Sequence, residues 1–141
     1  MYSAEFLINL ITDYNALIRS AAHNHQVSSS QALNVLSIPF DGISMSKLAN
    51  KLGLDASTLT RNVNKLIVLD YLKKEPSQYD KRVQTIHLTK EGFSLKASLY
   101  DEINNLNNHA IKQLSIDEKE NIHLSIEKLA WVLECNRENK L

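Results

Sequence analysis

Two short amphipathic segments, separated by a tight turn, constrain the fold of this chain more than any other feature. SMSKLANKLG, residues 44–53, ends in Gly53, and ASTLTRNVNKLIVL, residues 56–69, follows Asp55. Glycine is favoured where helices end and aspartate where they begin, and only Leu54 separates these two capping residues. So short a connection between two helices predicts a helix-turn-helix.

The second helix of this pair has one apolar and one polar side. On a helical wheel Val63 and Leu66 lie within about 40° of Leu59, which predicts a buried seam. The polar side contains no acidic residue and consists of Ser57, Thr58, Thr60, Arg61, Asn64 and Lys65. Arginine and lysine suit guanine, asparagine suits adenine and threonine suits the thymine methyl group, so this side is interpreted as a DNA-reading surface. A solvated helix face is the alternative, but it would ordinarily include acids.

A polar hairpin is predicted after the helix-turn-helix. YLKKE, residues 71–75, and RVQTIHL, residues 82–88, have strand-like patterns, and the loop between them is too polar to bury. Such a hairpin, or wing, reaches the neighbouring minor groove, where concentrated negative potential favours Arg82. Asp80 is expected to orient Arg82 through a bidentate pair. A surface salt bridge without DNA contact is the alternative for this arginine.

Helices are also predicted at both ends of the chain. They run from Tyr2 to Ala22, from the Ser28–Gln31 capping box to Pro39, from Thr89 to Leu114, and onward from the Ser115–Glu118 capping box. The three long ones have more apolar surface than a head of about 60 residues covers, so a homodimer is expected.

Composition excludes several classes of protein. Cys135 is the only cysteine, which rules out an intrachain disulfide and CxxC metal or redox motifs. The three glycines form no nucleotide-binding loop or nucleophile elbow, and no Ser/His/Asp set, carboxylate pair or metal triad can be assembled. No apolar segment approaches the roughly 20 residues that span a bilayer. We expect a soluble, cytoplasmic protein with no enzymatic activity, cofactor, metal or membrane partner.

The formal net charge of zero hides an uneven distribution. Residues 44–90 hold nine basic and four acidic residues, whereas residues 1–43 and 91–141 are net acidic. A basic segment between acidic ones favours contact with a polyanion. An ordinary solvated surface is the alternative.

The chain resembles the MarR family of bacterial transcription regulators over essentially its full length. The resemblance lies in the polar helix from Ser57 to Leu66, the Asp80-Lys81-Arg82 wing and the Leu88-Thr89-Lys90-Glu91-Gly92 start of the next helix. It implies a triangular homodimer, held by the terminal helices, on a pseudopalindromic double-stranded DNA operator. One departure is Asp70, where the family usually has glycine. The implied organisation is a single domain, 1–141, with a winged head at 28–90 and helical dimerisation regions at 1–24 and 91–141.

Three further groups of residues are candidate sites. Ser44, Ser46 and Lys47 begin a helix whose backbone N–H groups suit a phosphate, although capping alone explains the two serines. Lys81 accompanies Arg82 in the wing. Many relatives of this kind bind small aromatic acids in a crevice between the dimer helices and the head. Arg19 and His23 are expected near that crevice and could bind the carboxylate of such a ligand. The alternative is that both side chains are simply exposed to solvent.

Two functions remain open at this point. The first is a homodimeric operator-binding regulator, a repressor released by a small anionic or aromatic ligand. The second is a winged-helix protein interaction module with little DNA binding. The salt dependence of DNA binding separates them, since it is steep only where several phosphates are neutralised.

Overall fold

The computed structural model describes residues 3–139, so Tyr2, the predicted start of the first helix, lies outside the described residues. The elements in chain order are α1 (Ala4–Asn24), α2 (Ser29–Ser37), β1 (Ile43–Ser44), α3 (Met45–Leu52), α4 (Ala56–Val68), β2 (Leu72–Pro76), β3 (Gln84–Leu88), α5 (Lys90–Ala110) and α6 (Ile116–Glu138). This mainly helical, winged helix-turn-helix architecture confirms the fold class predicted from the sequence.

The helix starts are fixed by side-chain caps. Ser28 with Gln31, and Ser115 with Glu118, form the two predicted capping boxes. Asp55 caps α4 by accepting a hydrogen bond from the Thr58 backbone N–H. Each of these bonds spans three residues, so the spacing of the residue types was sufficient to predict it.

Left-handed residues end the two central helices. Gly53 has a φ of 64° after α3, and Asp70 has a φ of 62° after α4. The Asp70 and Tyr71 N–H groups donate to the carbonyl oxygens of Ile67 and Leu66, both at 2.9 Å. This is a Schellman motif, in which an aspartate takes the left-handed position that glycine usually occupies.

The sheet has one strand more than the predicted hairpin. Its order is β1-β3-β2, with Ile43 opposite Ile86 in the antiparallel β1–β3 pair. Arg82 and Val83, predicted in a strand, belong to the turn before β3.

The long helix after the sheet is shorter than predicted. α5 ends at Ala110 instead of Leu114, because the chain tightens into turns in which the Leu114 N–H donates to the Ile111 carbonyl at 3.1 Å.

One hydrophobic core lies between the helix-turn-helix, the sheet and α5. The predicted seam of Leu59, Val63 and Leu66 is completely buried. Gly92 lets α5 approach the sheet, since a Cβ there would lie 2.0 Å from the Tyr71 carbonyl oxygen. The chain divides into two compact units, residues 1–104 and 105–141, and this core belongs to the first.

Candidate nucleic-acid interface

The hydroxyl groups at the start of α4 are already engaged within the helix. Ser57 Oγ and Thr58 Oγ1 donate to the Asp55 carboxylate at 2.6 and 2.7 Å, and Thr60 Oγ1 donates to the Ala56 carbonyl at 2.7 Å. Donation by Ser57, followed by the Thr58 backbone N–H, holds the pKa of Asp55 far below its usual range. A hydroxyl has one proton, so in this state these three oxygens can only accept further hydrogen bonds.

Two cationic side chains lie farther along α4. Arg61 and Lys65 are exposed, and across residues 3–139 neither side chain makes a hydrogen bond or an ion pair. They lie four positions apart, about one helical turn, and therefore on the same side of α4. The structure thus presents two uncompensated positive charges on the predicted reading surface.

Asn64, on the same side of α4, is held by a residue of the wing. Its Oδ1 accepts a hydrogen bond from Lys74 Nζ at 3.0 Å. Lys74, on β2, was not among the predicted site residues. The sequence did contain a signal for this residue. Side chains alternate between the two faces of a strand, and this alternation places Lys74 on the same face as the buried Leu72.

The start of α3 combines a capping serine with a free lysine. Ser44 Oγ accepts from the Lys47 backbone N–H at 3.3 Å and lies 3.3 Å from Ser46 Oγ. The Lys47 side chain is exposed and unpaired within the described part of the chain. Because Ser44 also belongs to β1, opposite Thr85, the sheet fixes where α3 begins.

The wing carries its arginine on a turn in which the Val83 N–H donates to the Asp80 carbonyl at 2.9 Å. Arg82 donates from Nε to Asp80 Oδ1 at 3.2 Å and from Nη2 to Oδ2 at 3.4 Å, the predicted bidentate geometry. The Arg82 backbone N–H, and then its guanidinium, lower the pKa of Asp80. The Arg82 side chain remains 91% exposed, and Lys81 beside it has no partner among the described residues. Asp80 therefore limits the directions available to Arg82 without covering it.

The root of the wing is braced by a second polar cluster. His87 Nε2 lies 3.0 Å from Thr85 Oγ1 and 3.8 Å from Glu75 Oε2. Lys73 Nζ pairs with Glu75 Oε1 at 2.7 Å and lowers the pKa of Glu75. Gly42, with a φ of 85°, allows the His87 ring to lie against the backbone, because a Cβ there would come within 2.4 Å of it.

The predicted ligand residues lie on the surface of α1. Arg19 and His23 are exposed, one turn apart, beside Thr12, Asn15 and Ser20. All of these residues come from a single helix, so no second wall encloses the surface within the first unit. His25, just after α1, is less exposed than Arg19 and His23, and its Nε2 contacts Glu102 Oε2 at 3.0 Å.

Two other kinds of site are absent from residues 3–139. No group of three or more histidine, cysteine, aspartate or glutamate residues there is placed to hold a metal ion. None of the helices in that range is both long and apolar enough to cross a membrane.

Comparison with known proteins points to one family. The MarR family model matches residues 26–83, from the end of α1 to the wing. The crystal structure of apo MarR from E. coli has a TM-score of 0.76 and 20% identity, over 92% of this chain and 97% of that one. Comparison of the sequence with curated proteins found no match.

Two further matches are structures solved with DNA. A variant of E. coli MarR complexed with operator DNA has a TM-score of 0.71 and 20% identity, over 89% of this chain and 91% of that one. The S. aureus MepR–DNA complex has a TM-score of 0.69 and 16% identity, over 94% and 99%. The MarR family model thus covers the helix-turn-helix and the first part of the wing, and the chain shares its fold with these solved structures.

Proposed function

We propose that this protein is a sequence-specific DNA-binding transcription regulator, not an enzyme. The observation that carries the proposal is the set of exposed cations on α4 and on the wing. Arg61 and Lys65 lie on α4, and Arg82 extends from the wing tip with 91% of its side chain exposed. Exposed cations on a helix and on a neighbouring hairpin suit a polyanion with grooves.

In the proposed complex, α4 enters the major groove and the wing follows the adjacent minor groove. Arg61, Asn64 and Lys65 face base edges, while Arg82 enters the narrow groove, oriented by Asp80. Lys47 and the backbone N–H groups at the start of α3 hold a phosphate. Residues 28–90 then form the DNA-binding head. The solved relatives with operator DNA and with DNA support this arrangement by their fold.

We assign dimerisation to the terminal helical regions, residues 1–24 and 91–141. None of the residues of α6, Ile116–Glu138, is buried, and Trp131 is 64% exposed. α1 likewise exposes Phe6, Ile8 and Ile11. Apolar surface of this kind is typical of a protein interface, and a two-fold dimer explains why both ends of one chain carry it. A dimer would present two heads to a pseudopalindromic operator.

The regulator is proposed to act as a repressor that a small anionic or aromatic ligand releases. Arg19 and His23 support an anion site, since an arginine pairs with a carboxylate through two parallel hydrogen bonds. Benzoate, the simplest aromatic carboxylate, tests this assignment. It should weaken DNA binding by the wild type and have less effect on Arg19→Ala; equal effects on both proteins would contradict the site.

Selection of bound duplexes from a randomised pool tests the proposed function. Wild type, Arg82→Ala and the control Lys112→Ala, a lysine in the turn after α5, are compared at near-physiological salt. We expect a two-fold related motif from wild type and control, with weaker enrichment by Arg82→Ala. Absence of any enriched motif, even at low salt, would overturn the proposal.

A protein interaction module is the second candidate function. Phe40 is 86% exposed and its ring centroid lies 5.4 Å from that of Phe93. An exposed aromatic pair, with one ring on the head and the other at the start of α5, is typical of a protein contact. DNA binding whose affinity does not change with salt concentration would favour this candidate, whereas a steep dependence favours DNA recognition.

A further inference from the structure

Lys74 connects the wing to the side of α4 that is proposed to read DNA. We propose that Lys74 is a positioning residue that determines which base Asn64 selects, favouring guanine over adenine. This inference rests on the proposed DNA-binding function. It adds a determinant of specificity from a strand that does not itself enter the major groove.

The strand geometry places the two lysines of β2 on opposite faces. Leu72 is buried in the core, and Lys74, two positions later, shares its face opposite the buried Ile86. The long apolar stem of Lys74 therefore begins over the core, and its Nζ ends 3.0 Å from Asn64 Oδ1. Lys73 points to the other face, where it pairs with Glu75.

This hydrogen bond defines the orientation of the Asn64 amide. An ammonium group only donates, so the amide must direct Oδ1 to Lys74 and turn its NH2 group elsewhere. A free asparagine reads adenine by accepting from N6 and donating to N7 at the same time. With Lys74 on the oxygen, the amide can donate freely, but the nearby positive charge opposes the adenine amino group.

Guanine suits this arrangement better than adenine does. Its major-groove edge offers two acceptors, N7 and O6, and no donor. The NH2 group of Asn64 can donate to that edge, and the positive charge of Lys74 adds attraction to it. Lys74 and Asn64 together are thus expected to offer only hydrogen-bond donors to the base, which suits guanine, whereas an asparagine alone suits adenine.

The test compares base preference among matched variants. Lys74→Met removes the ammonium group and keeps an apolar stem, while Lys73→Met makes the same change on the opposite face of β2. Asn64→Ala and the double variant Asn64→Ala/Lys74→Met show whether Lys74 acts through Asn64. Duplex selection gives the base frequencies, titration at several salt concentrations gives the affinities, and thermal melting verifies that each variant is folded.

We expect wild type and Lys73→Met to favour guanine at one base pair of each half-site. Lys74→Met should shift the guanine-to-adenine ratio at that position by about tenfold towards adenine. In the Asn64→Ala background, removal of Lys74 should not change the ratio further.

A uniform loss of affinity in Lys74→Met, with unchanged base preference and a salt slope lower by about one ion, would overturn the inference. Lys74 would then be a phosphate contact. If wild type enriched no motif, the proposed DNA-binding function itself would fail, a result distinct from an unchanged preference in the variant.

Discussion

The winged head and the last helix leave very different surfaces uncovered. In the head, Leu48, Leu59, Leu66 and Ile86 are completely buried, and Arg61 and Arg82 are among the exposed residues. In α6 no residue is buried, and large apolar side chains such as Trp131 are exposed. The head therefore completes its core within one chain, whereas α6 does not.

This difference indicates what each region is suited to bind. Exposed cations on the surface of the head attract an anionic partner by long-range electrostatics, and dissolved salt screens this attraction. Exposed apolar side chains gain free energy by leaving water, which requires another apolar surface. Ile122, Ile126, Leu129 and Leu133 recur at steps of three and four and share one side of α6.

The first prediction concerns the closed core of the head. Leu59→Ala should lower the free energy of unfolding by about 2–5 kcal/mol, because it leaves a cavity at a completely buried position. Val68→Ala, in the same helix at a position 85% exposed, is the control and should change it by less than about 0.5 kcal/mol. Chemical denaturation measures both, and similar losses in the two variants would remove the contrast between core and surface.

The second prediction concerns the uncovered side of α6. The double variant Ile126→Asp/Leu129→Asp should raise the dimer dissociation constant at least about 100-fold, since each apolar side chain contributes roughly 1.5–3 kcal/mol when buried. Sedimentation should then report the 16.0 kDa mass of one chain, whereas we expect wild type to sediment as a dimer. The control Asn121→Asp adds one negative charge outside this apolar side, where the double variant adds two within it, and should leave the dimer intact. A double variant that stayed dimeric would assign the interface elsewhere.

The third prediction separates the two members of the wing pair. Arg82→Ala should weaken operator binding about tenfold, because it removes a groove contact. Asp80→Asn should weaken it only about two- to threefold, since the arginine keeps its charge and loses an orienting partner. Binding titrations at one fixed salt concentration measure both effects. A larger loss from Asp80→Asn than from Arg82→Ala would mean that the pair serves the fold of the wing and not DNA contact.

The fourth prediction uses the acid sensitivity of the α4 cap. The pKa of Asp55 is depressed in the folded state, so its stabilising charge is fully present above the unfolded value of about 3.9 and is lost as pH falls through the lower, folded value. Asparagine is also a good N-cap but does not titrate, which makes Asp55→Asn the matched variant. Thermal melting from pH 7 to pH 2 should show that wild type loses its advantage over the variant below about pH 4. If the melting temperatures of the two proteins changed with pH in parallel, the ionised Asp55 carboxylate would not stabilise the helix start as proposed.

The sequence alone determined the local framework of the protein. The caps at Ser28, Asp55 and Ser115, the turn at Gly53 and the buried seam on α4 were all predicted and are present. Each depends on hydrogen bonds or side-chain positions within three or four residues of one another. At that range the spacing of residue types fixes the geometry, because helix periodicity and capping are local.

Only the tertiary structure decided which side chains meet across the chain. β1 forms because Ile43 reaches Ile86, and Asn64 is oriented by Lys74 from another element. The hydroxyls of Ser57 and Thr58 appeared free to contact DNA in the sequence, but both donate to Asp55. These outcomes depend on packing and on competition among donors for the same acceptor, which residue spacing does not encode. The sequence therefore predicted which polar side chains share one side of α4, while the fold set which of their hydrogen-bonding groups are available.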